Sequence, residues 1–398
     1  MNATLLDKYA EVLIWGLKTA RHNKFKPYDT IMLRWELAAR PLAEKVYAKL
    51  IRQKFNVLSR ALTTPAMEHS FYRSADRRQR QFINKGEKEL YASLNGNIYI
   101  SAPDSLTHLK DIDPQKMGET AVARKFLRDI AEKREEQGAY AWTLCTYPTP
   151  ELARKAGLTL AEYTAQISKA CYLNEKNPAQ KWQETLELAV EIKKWLNALP
   201  IKKFQIESAR ADLTILYGEK RRFMGVSGHN IPSFELFTSP DWRGTEGRYY
   251  ANLPSYRGGN YVEGIDLTFV KGSAVKIRAQ KGEDYVRKTL RLDKQANKIG
   301  EFSLTDKRFS KIDKFMADIL FDENFGGASG NCHIAVGASY SDTYAGDPRN
   351  LTKAVKQNLG FNDSALHWDL INTEQKTVTA ALKNGKKILI YEKGMFRH

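Results

Sequence analysis

Between residues 4 and 21, Leu5, Leu6, Tyr9, Val12, Leu13 and Leu17 recur at three- and four-residue spacing. That period predicts an amphipathic helix with one buried face. Thr30 to Trp35 then reads as a strand, Leu42, Val46 and Leu50 as a helix, and Phe55 to Leu58 as a second strand. Asn97 to Ile100 and Tyr140 to Cys145 are further strands, separated by a charged helical stretch over 118–137. Strands alternating with helices at this rhythm predict a parallel sheet of the α/β kind. Helical patterns follow near 149–156, 159–172 and 179–198. From about residue 203 strands dominate, with helices expected near 282–290 and 307–319. One hairpin is expected between Tyr261 and Arg278 over Lys271-Gly272, another between Thr377 and Tyr391 over Asn384-Gly385. A short turn with Gly at its second position is a strong hairpin signal. The reading is an α/β N-terminal domain, 1–200, followed by a mixed, strand-rich α+β domain, 201–398.

At 398 residues there is ample chain for two cores. No apolar run approaches the roughly 18–20 residues of a membrane helix. The N-terminus carries Asp7 and Glu11 inside its amphipathic pattern, unlike a secretion signal. Three cysteines, Cys145, Cys171 and Cys332, lie in apolar settings without paired spacing. This argues for a reducing, cytoplasmic location and against a disulfide scaffold or a thiolate zinc site. The net charge of +17 raises a polyanion partner. Its densest cluster is Arg73, Arg77, Arg78 and Arg80 with Lys85 and Lys88. No nucleic-acid motif accompanies it, and a basic surface without a polyanion partner explains it as well.

Chemistry concentrates at His367-Trp368-Asp369 inside the apolar run 365–371. On a strand, His367 and Asp369 share a face and Trp368 takes the other. A buried imidazole and carboxylate need a partner, and either a metal ion or an internal hydrogen-bonded pair supplies one. His333 opens a second apolar strand, His333 to Gly337. The acids of the second half are ranked poorly by spacing alone. Glu235 is the lone acid in Ser233 to Phe237, and Glu301 follows Gly300, where backbone approaches closely. Taken singly, each has an ordinary structural reading, as has Tyr340.

In their order and approximate spacing, several blocks resemble the thermophilic metallo-aminopeptidases of the aminopeptidase T and aminopeptidase S type. They are Asn230-Ile231-Pro232 through Glu235 to Pro240, Ile299-Gly300-Glu301, and Leu320 to Asn324. His333 to Gly337 with Tyr340, and Asn362 to Ser364 before His367-Trp368-Asp369, complete the set. The N-terminal half is similar more loosely, at Trp142, Pro148 to Pro150 and the helix from Thr159. The link from Asn324 to Cys332 looks longer than the family's usual one.

The resemblance implies five metal ligands, Glu235, Glu301, His333, His367 and Asp369, with Glu301 bridging and catalytic and Tyr340 a catalytic side chain beside the metals. It implies two divalent ions, Zn, Co, Mn or Mg, peptide substrates with a free N-terminus, and a homodimer. Two imidazoles and three carboxylates without thiolate suit such ions. Asp322 and Glu323 are read as braces of the loop before His333, and Cys332 as packing away from the metals. Two other functions stay open: a dinuclear phosphoesterase, and a basic nucleic-acid-binding protein without catalysis.

Overall fold

The computed structural model describes residues 1–398, the side chain of Pro348 apart. Packing divides the chain into two compact units. One comprises 1–186, 226–233 and 316–320; the other comprises 187–225, 234–315 and 321–398.

The first unit is built on a five-stranded parallel sheet. Its order is Asn56–Ala61, Thr30–Trp35, Gly96–Ser101, Ala141–Thr146 and Asn230–Ile231. Ile31, Met32 and Leu33 are all buried, as expected for a central parallel strand covered on both faces. The helix Ala3–Ala20 starts where the Asn2 side chain accepts from the Leu5 N–H, and it buries Leu6, Tyr9, Val12, Leu13 and Leu17. Only Leu5 of the expected stripe is left half-buried. Three short helices, Pro65–Ser74, Arg77–Arg80 and Glu87–Ser93, carry no apolar stripe that periodicity could flag. Of their residues only Arg80 is buried. Among the described residues, no helix is long and apolar enough to cross a membrane.

The second unit pairs two antiparallel sheets. The larger has eight strands in the order Ser273–Arg278, Ile265–Val270, Asp241–Ala251, Asp212–Leu216, Ile201–Ser208, Lys376–Leu382, Lys387–Glu392 and Met395–Phe396. The smaller has four: His367–Asn372, Asn331–Gly337, Ile299–Thr305 and Glu235–Thr238. Phe204 of the larger sheet meets Phe302 of the smaller at 4.9 Å between ring centroids. The Tyr249 hydroxyl donates to the carbonyls of Leu370 at 2.8 Å and Cys332 at 3.0 Å. These bonds fix the small sheet against the large one through buried, satisfied groups.

Both glycine hairpins form. Lys271 and Gly272 have φ of 48° and 77°, and Gly385 has 87°, the left-handed values that tight hairpin turns require. The first hairpin is shorter than expected, pairing Ile265–Val270 with Ser273–Arg278. Residues 260–262 pair instead with Ser255–Arg257. The expected helix over 307–319 does not form. The Asp306 carboxylate accepts the Arg308 N–H and its guanidinium, closing a turn. Ala317 then takes a left-handed φ of 51°, so helix begins only at Ile319. Its apolar residues Ile312 and Met316 are nevertheless buried. The architecture is thus an α/β unit plus a strand-rich unit, and the candidate site lies wholly on the four-stranded sheet of the latter.

Candidate metal centre

Register assembles the site. Glu301, Ala335 and Asp369 stand opposite one another across three strands, as do Ser303, His333 and Ile371. Glu235 is opposite Thr305, and His367 opposite Gly337. Paired residues share a face, and so do alternate residues of one strand. All five candidate ligands therefore project from one side. Leu236, Phe302, Leu304, Ile334, Trp368 and Leu370 take the other side and are buried. The strand bulges between Ile299 and Glu301. At Gly300 a Cβ would collide with the carbonyl oxygens of Gly337 and Ala338. Glycine is thus required immediately before Glu301.

The five side chains converge. His333 Nε2 lies 3.2 Å from Glu235 Oε2 and 3.2 Å from Glu301 Oε1. The second oxygen of Glu301, Oε2, lies 3.7 Å from His367 Nε2. That nitrogen is in turn 3.3 Å from Asp369 Oδ1. Donor atoms of Glu235, Glu301 and His333 fall within 4.8 Å of one another, and so do those of Glu301, His367 and Asp369. Ligands about 2.1 Å from a tetrahedral ion are themselves about 3.4 Å apart, close to these spacings. A proton on His333 Nε2 can point at only one of its two carboxylates; a divalent ion would satisfy both. His367 Nδ1 faces the Ala338 carbonyl at 2.9 Å. Donation there fixes the tautomer and leaves the Nε2 lone pair for a metal. The donor set fits divalent ions.

The electrostatics are those of crowded acids. Burial, with Glu301 and Asp369 nearby, pushes Glu235 up to about 7, against the pull of His333 and the Ser303 hydroxyl. Burial alone would lower His333. The hydrogen bond to Glu301 and the charges of Glu235 and Asp369 outweigh it and carry the imidazole to about 9. For Asp369, burial is overcome by His367, His333 and Arg257, which hold its carboxyl down to about 2. Positive charge is drawn into this cluster.

Tyr340 follows the His333 strand. Its backbone N–H donates to Ser239 Oγ at 2.8 Å. Its ring lies 4.8 Å from that of His367 and 5.7 Å from Phe237. The side chain is 36% exposed. Its hydroxyl is nevertheless pushed well above the usual range by burial, then by Glu301, Asp369, Glu323 and Glu235. The ring thus packs on His367 while part of the side chain stays open to solvent, and the carboxylates of the centre keep its hydroxyl protonated.

Several contributors were not legible in sequence. Ser303 donates to Glu235 Oε2 at 2.7 Å, the Ala338 carbonyl orients His367, and Ser239 anchors Tyr340. Glu323, read as a loop brace, does hold Asn331 and Thr305 through its backbone carbonyl. Its carboxylate is also buried and acts on Tyr340. The acidic pair Asp322-Glu323 after Leu320-Phe321 was the available signal. Cys332 is coupled to Tyr249 and Lys376 and lies on the face away from the acids. Histidines outside the centre act as braces: His229 is 2.6 Å from Glu135, His108 is 2.7 Å from Glu68, and His69 is 3.1 Å from Asp111. The basic cluster is partly neutralised, since Arg80 is buried against Glu119 and Arg73 lies 3.7 Å from Asp111.

Comparison with known proteins bears on this geometry. The chain is 28% identical over 330 residues to aminopeptidase AmpS of Bacillus subtilis (strain 168), covering 78% of each. It is 28% identical over 304 residues to aminopeptidase T of Thermus thermophilus, covering 72% of each. A 417-residue alignment with aminopeptidase 2 of Geobacillus stearothermophilus gives 26% identity and covers 98% of this chain and 97% of that one. Among solved structures, wild-type AmpT from Thermus thermophilus matches with a TM-score of 0.80 at 22% identity, covering 99% of both chains; that likeness concerns the fold. The family model described as thermophilic metalloprotease (M29) matches residues 2–396, from the first helix to the last strand. The chain belongs to the thermophilic metalloprotease (M29) family.

Proposed function

We propose that this protein is a metallo-aminopeptidase that hydrolyses the N-terminal residue from peptides at a two-ion centre. Glu235, Glu301, His333, His367 and Asp369 are its ligands. The observation that carries this reading is Glu301: one oxygen faces His333 and Glu235, the other faces His367. A carboxylate divided in this way is suited to bridge. Zn, Co, Mn or Mg ions held there would activate a water and polarise the scissile carbonyl.

The chain's own groups supply the rest. His367 is held by Ala338 with Nε2 toward the acids. A carboxylate not spent on the ions, Glu323 being the candidate, would accept the amine of a peptide N-terminus and so select the end of the chain. The Tyr340 hydroxyl would donate to the oxyanion that forms as the carbonyl is attacked. We further propose a homodimer and a cytoplasmic location. The three buried, free cysteines fit the latter.

The test is hydrolysis of aminoacyl-arylamides by protein stripped with a chelator and reloaded, with elemental analysis in parallel. Activity should vanish and return with about two ions per chain. Full activity in the stripped protein, or saturation at one ion, would overturn the two-ion reading.

A further inference from the structure

The ligand-bearing face of the four-stranded sheet changes character at its Glu235 edge. Phe237 lies two residues beyond Glu235, opposite Ser303, and therefore points to the same side as the candidate ligands. Met224 extends that edge. Its N–H donates to the Phe237 carbonyl at 2.8 Å, and its carbonyl accepts from the Phe237 N–H at 2.9 Å. Antiparallel residues that exchange both bonds stand directly opposite one another, so the Met224 and Phe237 side chains share the ligand side. The Phe237 ring lies 5.7 Å from that of Tyr340, which lies 4.8 Å from the His367 imidazole. An apolar strip thus runs from His367, a candidate ligand, across Tyr340 to Phe237 and Met224.

This strip is not packed away. Phe237 is half-buried, whereas every other residue from 231 to 240 is buried. Met224 is half-buried as well, and Tyr340 is more open still. One wet apolar side chain is ordinary on a protein surface. Three neighbours on the face that carries the acids and imidazoles are different, because they stand where a substrate has to lie. Small-molecule sites are built in this way, with apolar walls beside a few polar groups that fix orientation. The first residue of a peptide matches such a site. Its amine and its scissile carbonyl would be engaged at the centre. Its side chain branches from the carbon between them and must rest on a surface flanking the ions.

We propose that Phe237 and Met224 are specificity-determining residues that receive the side chain of the substrate's N-terminal residue, giving preference to large apolar residues there over glycine and alanine. This rests on the aminopeptidase reading. Phe237 supplies a flat apolar surface. The unbranched thioether of Met224 can adjust to aliphatic and aromatic side chains alike.

The experiment compares metal-loaded wild type with Phe237→Ala, Phe237→Leu and Met224→Ala on leucyl-, phenylalanyl-, alanyl- and glycyl-arylamides. In the wild type, kcat/KM for the leucyl substrate should exceed that for the alanyl one by at least ~10-fold, the scale on which apolar pockets discriminate. In Phe237→Ala this ratio should fall on the order of 10-fold. Met224→Ala should move it in the same direction by less, and Phe237→Leu should keep most of it. Calorimetry with free leucine and free alanine gives a readout independent of turnover: leucine should bind more tightly to the wild type, and the difference should shrink in Phe237→Ala. Equal loss on all four substrates, with metal content intact, would overturn the proposal and leave Phe237 as a support for Tyr340. A wild type that does not distinguish leucyl from alanyl, or a ratio unchanged in both alanine variants, would overturn it also. Should Phe237→Ala lose metal, the ratio in Met224→Ala decides. A wild type inactive on all four substrates would reject the aminopeptidase reading itself, and this inference with it.

Discussion

At the scale of single residues, the roles proposed for Glu301 and Tyr340 can be separated by substitution. Glu301→Gln keeps size and hydrogen-bonding capacity but removes the charge set between the two histidines. Turnover should fall by at least ~10²-fold, with the circular dichroism unchanged and bound metal dropping toward one ion per chain. Normal turnover would remove Glu301 from the centre. Tyr340→Phe deletes one hydroxyl and keeps the ring that packs on His367. If that hydroxyl donates to the oxyanion, kcat should drop on the order of 10²–10³-fold while KM and metal content hold. Loss of metal instead would make the phenol a ligand or a ligand's support.

At the scale of elements, the site depends on strand register. The five candidate ligands come from four strands, and a one-residue slip in any of them would turn its side chain to the opposite face. The bulge before Glu301 is therefore a structural requirement. In Gly300→Ala the new methyl would meet two backbone carbonyls, those of Gly337 and Ala338, which cannot rotate away as a flexible side chain could. Both carbonyls belong to the segment leading from the His333 strand to Tyr340. The substitution should lower metal affinity at least ~10-fold, read by competition with a chelating dye, and should cost stability as overpacked sites do, about 1–3 kcal/mol. Unchanged metal affinity would show that the bulge does not govern the centre.

At the scale of the whole molecule, stability carries a pH signature from outside the site. Lys376 is buried in the eight-stranded sheet, and its Nζ has no hydrogen-bond partner among the described residues. Burial lowers its pKa to about 8, against weaker support from Cys332 and Glu374. In the unfolded chain a lysine titrates near ~10.4. Below pH 8 the amine is charged in both states and its burial penalty is fully felt. Between about 8 and 10.4 the unfolded chain binds more protons, so stability rises with pH across that window. The difference corresponds to roughly 3 kcal/mol. Lys376→Met should therefore be the more stable protein at pH 7, and its advantage should shrink as pH rises toward 10. Urea midpoints of both proteins at the two pH values test this; a constant gap would mean Lys376 does not titrate in the window.

Local signals in the sequence were sufficient for much of the fold. The helical stripe from Leu6 to Leu17 and the glycine turns at 272 and 385 act through contacts within a few residues, and they formed as expected. His367 and Asp369 share a face because strand geometry allows nothing else. Other features required distant chain. The 307–319 segment has helical periodicity, but its apolar residues are buried by a loop whose turns are set by Asp306 and Ala317. Periodicity records which residues are buried and leaves open the backbone that buries them. Glu323 reads only as a loop brace because nothing beside it in sequence is Tyr340; the influence of its carboxylate on Tyr340 exists only once the chain has folded. Likewise, no run of letters brings Glu235, Glu301 and His333, spread over 99 positions, to within 4.8 Å. Pairing of the 235–238, 299–305, 331–337 and 367–372 strands does that, and pairing is a property of the folded sheet.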